Sequence, residues 1–433
     1  MVGAARAIRP ATMGREIIAR VQGSKSLTNR WIMLASLADG PSVLAGALKS
    51  DDTTLFADAV SQCGVHASWT APDELTIVGC AGRPRGGSSV HLGDGGTPTR
   101  FMAAFAALAD QPIVIDGSPR MRERPVAEGL AMLAQLGASI RWVEAAGRLP
   151  VVVGGLRPTG RTLAVGATSS SQFISALMMI APWLERGLEL AFAQPPTSAS
   201  YLELSIAVLT RAGVPVQIER APDGGLAAVT IGPMPTRGVH ITVEPDASSA
   251  IYPIAAAALI PGMRVTVPAL LRTTAQPDRG AIDALLQMGA RERTVEGSTS
   301  IEHGGPLRGI TTDAARWPDG ALAIAAVAAA ATGTTTITGL HTLRVKESDR
   351  IGAMAAELRA IGCTVCASDD AIVIDPSTRH DRAVTLHAHR DHRVAMSLAT
   401  LGLHRQGISI DDPGCVAKSW PGFWDSLALF EGV

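Results

Sequence analysis

Six short phrases of similar character, each placing a glycine after an apolar run, divide this chain at nearly equal intervals. They are Ser61-Gln62-Cys63-Gly64-Val65, Leu133-Ala134-Gln135-Leu136-Gly137-Ala138, Leu209-Thr210-Arg211-Ala212-Gly213-Val214, Leu286-Gln287-Met288-Gly289-Ala290, Leu358-Arg359-Ala360-Ile361-Gly362-Cys363 and Leu429-Phe430-Glu431-Gly432-Val433. The glycine spacings are 73, 76, 76, 73 and 70 residues. A glycine just past a helix is the expected closing residue, because only glycine takes left-handed backbone freely. Chance supplies one or two such matches, whereas five similar intervals mark an internal repeat. Val65 to Gly79, Ala138 to Gly154, Val214 to Gly232 and Cys363 to Asp375 each read as two strands around a polar turn, and Ala290 to Gly304 is a weaker case. The unit is therefore helices followed by a β-hairpin, and the fold class is α/β (α+β). Six units in 433 residues give two domains of three, with a joint near Thr236 to Thr242.

Composition narrows the partners. Hydrophobic residues make up 47% and aromatics only 4%, which favours close packing of Ala- and Gly-rich helices over aromatic binding surfaces. The net charge of −1 makes no electrostatic case for nucleic acid or an anionic membrane, so an anion site must come from local clusters of Lys and Arg. Cys63, Cys80, Cys363, Cys366 and Cys415 are odd in number and scattered, which fits a reducing cytoplasm and no disulfide framework. Cys363 and Cys366 follow a helical pattern, whereas a redox pair sits at a helix start. Met1 to Arg20 has no apolar signal core, and the apolar stretch Gly320 to Thr332 is too short to span a bilayer.

Polar phrases recur where apolar helices begin. Gln22-Gly23-Ser24-Lys25-Ser26-Leu27-Thr28-Asn29-Arg30 leads into an apolar run, with Ser24 or Ser26 as the cap. A helix start exposes unpaired N–H groups, and Lys25 and Arg30 add charge, so this is a place for an anion, although a capped surface helix with solvated basic residues reads equally well. Leu92-Gly93-Asp94-Gly95-Gly96-Thr97-Pro98-Thr99-Arg100 is a glycine-rich loop that can bring backbone N–H groups to a phosphate, although a plain turn reads equally well. Arg120-Met121-Arg122-Glu123-Arg124-Pro125 holds three arginines and alone reads as a solvated loop. Thr168-Ser169-Ser170-Ser171-Gln172-Phe173 and Ser198-Ala199-Ser200-Tyr201 suit phosphate or simple capping. Trp317-Pro318-Asp319-Gly320 sets a carboxylate before an Ala-rich helix. In Leu343-Arg344-Val345-Lys346-Glu347-Ser348-Asp349-Arg350, a helix would place Lys346 and Arg350 on one face, where a shared anion would relieve their repulsion. Arg390-Asp391-His392-Arg393 and Asp412-Pro413-Gly414-Cys415-Val416-Ala417-Lys418 each read alone as polar loops.

The order and content of these phrases resemble the 5-enolpyruvylshikimate-3-phosphate synthase family from about Gly23 to Phe423. Gly-Ser-Lys-Ser-x-x-Asn-Arg, Arg-x-x-Glu-Arg-Pro, Ser-Ser-Gln-Phe, Asp-Ala-Ser-Ser-Ala, Arg-Val-Lys-Glu-Ser-Asp-Arg and Asp-His-Arg-x-Ala-Met follow one another in family order. The resemblance implies transfer of the enolpyruvyl group of phosphoenolpyruvate to shikimate 3-phosphate, by addition and then elimination of phosphate. It implies no cofactor and no metal, a cytoplasmic monomer, and no nucleic-acid or membrane partner. The family's fold is an inside-out α/β barrel of two domains built from six βαβαββ repeats. Here that gives residues 21–240 as one domain and residues 1–20 with 241–433 as the other, with the site in the cleft between them. Matching positions assign Lys25, Gly96, Arg124, Gln172, Arg350, Arg393 and Lys418 to phosphoenolpyruvate. Lys25, Ser26, Arg30, Ser170, Ser171, Gln172, Ser198, Tyr201, Asp319, Thr342 and Lys346 match the acceptor's ligands, Arg30 being the carboxylate binder. Asp319 matches the base, and Glu347 with Lys25 the proton donor or shuttle. The family's inhibitor glyphosate occupies the phosphoenolpyruvate site.

Four positions depart from the family pattern. Gln22 replaces a proline, which predicts a less rigid crossover. Asp94 stands where Asn is common and would repel phosphoenolpyruvate unless it turns away or bonds a neighbour. Pro98 and Thr99 also differ, and Thr342 stands where an acceptor-contacting Asn is common. Asp94 and Thr342 motivate an alternative acceptor such as a nucleotide (UMP), and a catalytically silent binding paralogue is a reading from another class.

Overall fold

The computed structural model describes residues 4–158 and 160–432. Residues 1–3, part of the segment expected to join the second domain, and Val433, the end of the sixth phrase, lie outside them. The chain divides into two compact units, Gly23–Glu244 and Met1–Gln22 with Pro245–Val433. The division falls just beyond the 236–242 joint because His240–Thr242 is still a strand of the first unit, paired parallel with Pro41–Ala45.

The repeat is explicit in the sheets. Ser89–His91 runs parallel to Ile113–Asp116, which pairs antiparallel with Val151–Gly154, itself the partner of Ser139–Trp142. The helix Gly96–Ala107 connects the parallel strands, and Ala127–Gln135 leads to the hairpin. Five four-stranded sheets among the described residues share this order. The weak hairpin at 290–304 forms as fully as the others, Arg291–Val295 against Ser298–Glu302. Gly64, Gly137, Gly213, Gly289 and Gly362 take positive φ, from 83° to 119°, as closing glycines do, whereas Gly432 of the sixth phrase does not.

Besides the first sheet, which His240–Thr242 joins, two more sheets draw on distant parts of the chain. Glu16–Ile18 runs parallel to Arg264–Pro268 and opens the fourth sheet. The sixth sheet has three strands, with Arg6–Ala7 antiparallel to Ile408–Ile410 in place of a hairpin. An isolated antiparallel bridge, Ala11 to Glu431, continues this closure of one chain end on the other.

Each repeat contributes one buried helix to a unit core. In Gly23–Glu244 these are Lys25–Leu37, Gly96–Ala107 and Ser171–Ile180, and in the other unit Ala247–Leu259, Ala321–Ala328 and His392–Gly402. Every residue of Ala247–Leu259 and of Ala321–Ala328 is buried, so neither helix has a polar face. Small side chains let these helices pack against one another within their unit. Six of the polar phrases singled out above fall at the N-termini of these helices. No helix among the described residues is long and apolar enough to cross a membrane.

The start of the first unit is tightly fixed. A methyl group at Gly23 would lie 1.8 Å from the Gly46 carbonyl oxygen, so no side chain fits there. Gln22, in the other unit, donates from Nε2 to the Ser419 carbonyl at 2.6 Å and to Ser249 Oγ at 3.3 Å. The glutamine thus anchors the chain by hydrogen bonds where the family's proline would stiffen the backbone. The five cysteines are free, Cys363 being buried and Cys366 exposed.

Candidate active site

In Gly23–Glu244, four helix starts carry expected site residues. Ser24 caps Lys25–Leu37, accepting from the Leu27 N–H. Lys25 Nζ lies 3.2 Å from Asp52 Oδ2, an acid whose side chain is 6% exposed. Arg30, one turn further, is buried. Its Nε donates to Ser205 Oγ at 2.9 Å, Nη1 to the Ser26 carbonyl at 3.0 Å, and Nη2 to Ser175 Oγ at 3.2 Å and the Tyr201 carbonyl at 2.9 Å. Burial pulls the guanidinium down to about 10, with Tyr201 opposing.

The glycine-rich loop becomes the helix Gly96–Ala107, with Gly95 as cap. Arg100 donates from Nη1 to the Gly96 carbonyl and to Gln172 Oε1, each at 3.0 Å, and lies over the Phe173 ring. The three arginines of 120–124 separate. Arg120 pairs with Glu123 and Arg122 with Asp116, while Arg124 is buried and donates to the Asp94 carbonyl at 3.3 Å. Arg124 Nε is buried without a hydrogen-bond partner among the described residues. A methyl group at Gly96 would lie 2.8 Å from Arg124 Nη2 and 2.9 Å from Arg100 Nη1, so this backbone abuts both guanidiniums. The Asp94 carboxylate accepts a hydrogen bond from Ser118 Oγ, the neighbour-bonded arrangement that restrains it.

Ser170 caps Ser171–Ile180, accepting from the Gln172 N–H at 3.3 Å. Ser198 precedes Ala199–Arg211 with left-handed backbone, φ 50°, and makes no side-chain cap bond. Such a conformation in a non-glycine residue is costly and is held by its surroundings. This unit thus gathers Arg30 with Ser26 and the Tyr201 backbone, and Arg100 and Arg124 with Gly96 and Gln172.

The other unit gathers its charges into a web of ion pairs. Asp319 Oδ1 lies 2.8 Å from Arg350 Nη1 and 3.6 Å from Lys346 Nζ, and Oδ2 lies 3.0 Å from Arg393 Nη2. Burial pushes the Asp319 carboxyl up, but Arg393, Lys346 and Arg350 together hold it well below the usual carboxylate range. Arg350 is 1% exposed, and it also meets Glu347 Oε2 at 2.9 Å and Asp391 Oδ2 at 2.7 Å. Burial disfavours its charge, yet Asp391, Glu347 and Asp319 hold the guanidinium above its ordinary value. Lys418 Nζ meets the remaining Glu347 oxygen at 2.8 Å.

Sequence reading did not single out Asp52, Asp278 or Asp391 as site members. Asp391 caps His392–Gly402, accepting from the Arg393 N–H at 2.9 Å, and that capping signal was visible in its phrase. Lys346 and Arg350 do not share one helix. His341–Val345 is a 3-10 turn, Lys346 is extended, and the helix Arg350–Ala360 starts only after Asp349, whose side chain accepts from the Gly352 N–H. Lys346 and Arg350 instead converge on Asp319, which supplies the shared anion. Thr342 Oγ1 is buried without a hydrogen-bond partner among the described residues. No group of three or more His, Cys, Asp or Glu among those residues is placed to hold a metal ion.

Residues 13–427 match the family described as EPSP synthase (3-phosphoshikimate 1-carboxyvinyltransferase). A 3-phosphoshikimate 1-carboxyvinyltransferase of Methanosphaerula palustris is 40% identical over 409 residues, covering 94% of each chain. Among solved structures, an EPSP synthase from Acinetobacter baumannii superposes with a TM-score of 0.81 at 27% identity, covering 99% of this chain and 98% of that one. The enolpyruvyl transferase NikO from Streptomyces tendae superposes at 0.76 with 20% identity, over 98% and 97% of the two chains, a likeness of fold.

Proposed function

The chain belongs to the EPSP synthase family of 3-phosphoshikimate 1-carboxyvinyltransferases, and from that premise we infer how its two residue sets serve the family's reaction. It transfers the enolpyruvyl group of phosphoenolpyruvate to the 5-hydroxyl of shikimate 3-phosphate and releases phosphate. Each substrate carries a carboxylate and a phosphate, so binding both requires many fixed cations. Lys25, Arg124, Arg350, Arg393 and Lys418, with Gln172 and the Gly96 backbone, take the donor. Lys25, Ser26, Arg30, Ser170, Ser171, Gln172, Ser198, Tyr201, Asp319, Thr342 and Lys346 take the acceptor.

Asp319 takes the proton of the acceptor hydroxyl as its oxygen attacks C2 of phosphoenolpyruvate. Glu347, with Lys25, delivers a proton to the methylene carbon, giving a tetrahedral intermediate. Loss of a methyl proton and departure of phosphate restore the enol ether. The observation that carries this reading is the Asp319 cluster, a buried carboxylate ringed by Arg350, Arg393 and Lys346. Without substrate those cations suppress its basicity. Anionic substrates that engage the same cations weaken that hold and raise the proton affinity of Asp319 when a base is needed.

The restraint of Asp94 by Ser118 removes part of the motive for a nucleotide acceptor. We place the reaction in the cytoplasm, on the free cysteines, and assign it to a monomer. The test is phosphate release from phosphoenolpyruvate with shikimate 3-phosphate, UMP or UDP-N-acetylglucosamine as acceptor. Release with shikimate 3-phosphate alone is expected. Release with only another acceptor would overturn the substrate assignment, and bound phosphoenolpyruvate with no release would overturn the catalytic one.

A further inference from the structure

Asp278 belongs to none of the roles assigned above. It is 1% exposed and stands just before the helix Arg279–Met288, yet its side chain does not cap that helix. Its oxygens serve two other helices. Oδ1 accepts from the Gly320 N–H at 3.0 Å, and Oδ2 accepts a hydrogen bond from Ser248 Oγ. Gly320 caps Ala321–Ala328 and directly follows Asp319, and Ser248 lies in the first turn of Ala247–Leu259. Gln276, also buried, accepts from the Ala247 N–H at 3.0 Å and donates to the Pro245 carbonyl at 2.8 Å. Residues 276–278 therefore tie the start of one buried helix to the start of another.

The surrounding packing leaves little slack. A methyl group at Gly320 would lie 2.7 Å from Ala281 Cβ, and one at Gly280 would lie 2.4 Å from Trp317 Cδ1. A buried carboxylate is costly unless its oxygens are satisfied. Burial and the charge of Asp319 push the Asp278 carboxyl up to about 6, with Arg393, Ser248 and the Gly320 amide opposing. An acid kept at such a cost, and turned away from its own helix, marks a position held for something other than stability.

We propose that Asp278 is a positioning residue for the transfer: its grip on the Gly320 amide fixes the Asp319–Gly320 peptide and hence the line along which Asp319 meets the acceptor hydroxyl. This rests on Asp319 acting as the base. A misplacement of about 1 Å in a reacting group costs on the order of 100-fold in rate.

The test measures phosphate release, melting temperature and calorimetric binding of each ligand for Asp278→Ala, Asp278→Asn, Ser248→Ala and Asp319→Asn. Asp278→Ala should lower kcat by ~30- to 100-fold, with both KM values within about threefold of the parent. Asp278→Asn keeps an oxygen for the Gly320 N–H and should stay within about fivefold in kcat. Ser248→Ala removes one anchor and should lower kcat by about 5- to 10-fold with KM unchanged. A folded Asp278→Ala protein with parental kcat would overturn the proposal, as would Asp278→Asn failing as completely as Asp278→Ala. Should Asp278→Ala not fold, parental kcat in Ser248→Ala would overturn it alone. Asp319→Asn retaining parental kcat would instead overturn the base assignment, which separates that failure from this one.

Discussion

The two units solve the same electrostatic problem in opposite ways. In Gly23–Glu244, Arg30, Arg100 and Arg124 are anchored by hydroxyl, carbonyl and amide oxygens. In the other unit, Arg350, Arg393, Lys346 and Lys418 are paired with the carboxylates of Asp319, Glu347 and Asp391. Neutral anchors orient a cation without cancelling its charge, so the first arrangement keeps its attraction for an anionic ligand. Ion pairs cancel charge but couple each proton affinity to its neighbours, so the second can respond when a ligand competes for the cations. The neutral-anchored arginines are suited to holding anions alone, whereas the ion-paired set couples that hold to proton transfer; Lys25, paired with Asp52, is the exception in the first unit.

Substitutions can break this contrast, and the largest effect belongs to the paired set. Asp319→Asn should lower kcat by about 10²–10⁴-fold while calorimetry finds both ligands still bound. Retained turnover would place proton abstraction elsewhere. Arg350→Ala leaves three acids facing one another around a buried vacancy, and urea titration should show a loss of about 3–5 kcal/mol. A loss below about 1 kcal/mol would mean that the web does not hold this unit together.

Asp278 sharpens the same point through pH. Its carboxyl lies at about 6 in the folded protein, against an ordinary 3.8. Between those values the folded state binds more protons than the unfolded chain, so stability falls as pH rises through the window, by roughly 3 kcal/mol. Asp319 has the opposite shift. Its contribution is complete above the ordinary carboxylate value, and it is lost only as pH falls toward its lowered folded value. Asp278→Asn should therefore gain stability relative to the parent, by about 3 kcal/mol, between pH 4 and pH 7 in urea titrations. A difference independent of pH would show that the fold does not raise the Asp278 carboxyl, which then ionises in the folded protein as it does in the unfolded chain.

The neutral-anchored set predicts smaller and different losses. Arg124→Ala should raise KM for phosphoenolpyruvate by about 10- to 100-fold and change kcat less, because its bond to a charged ligand is worth roughly 1.5–3 kcal/mol. Gly96→Ala should act on the donor alone. The added methyl displaces two flexible guanidinium ends rather than backbone, so KM for phosphoenolpyruvate should rise about tenfold while stability changes by less than about 1 kcal/mol. A large stability loss in Gly96→Ala would erase the distinction between the two sets.

Much of the architecture was legible because it depends on local backbone rules. A helix that stops and turns into a hairpin needs left-handed backbone, and Gly64, Gly137, Gly213, Gly289 and Gly362 announce it. Helix starts were legible through caps such as Ser24 and Ser170. What escaped was the pairing of charges. Asp52, Asp278 and Asp391 look like ordinary helix-start acids, and no local rule tells which distant cation each meets. The stretch 343–350 was open in conformation for a related reason. Its composition permits a helix, but Asp349 caps a new one and breaks the register, so Lys346 and Arg350 meet through Asp319 rather than along a shared face.

The exchange of strands between the chain ends sets an order in time. The first unit has all its strands once Thr242 has been made, because its last strand closes its first sheet. The second unit must wait at both ends. Glu16–Ile18 has no partner until Arg264–Pro268 is synthesised, and Arg6–Ala7 has none until Ile408–Ile410 appears. At about 5–20 residues per second, the opening strand spends on the order of 20–80 s unpaired on a ribosome. The strands Arg6–Ala7 and Glu16–Ile18 are thus paired late, after every strand of the first unit has been made.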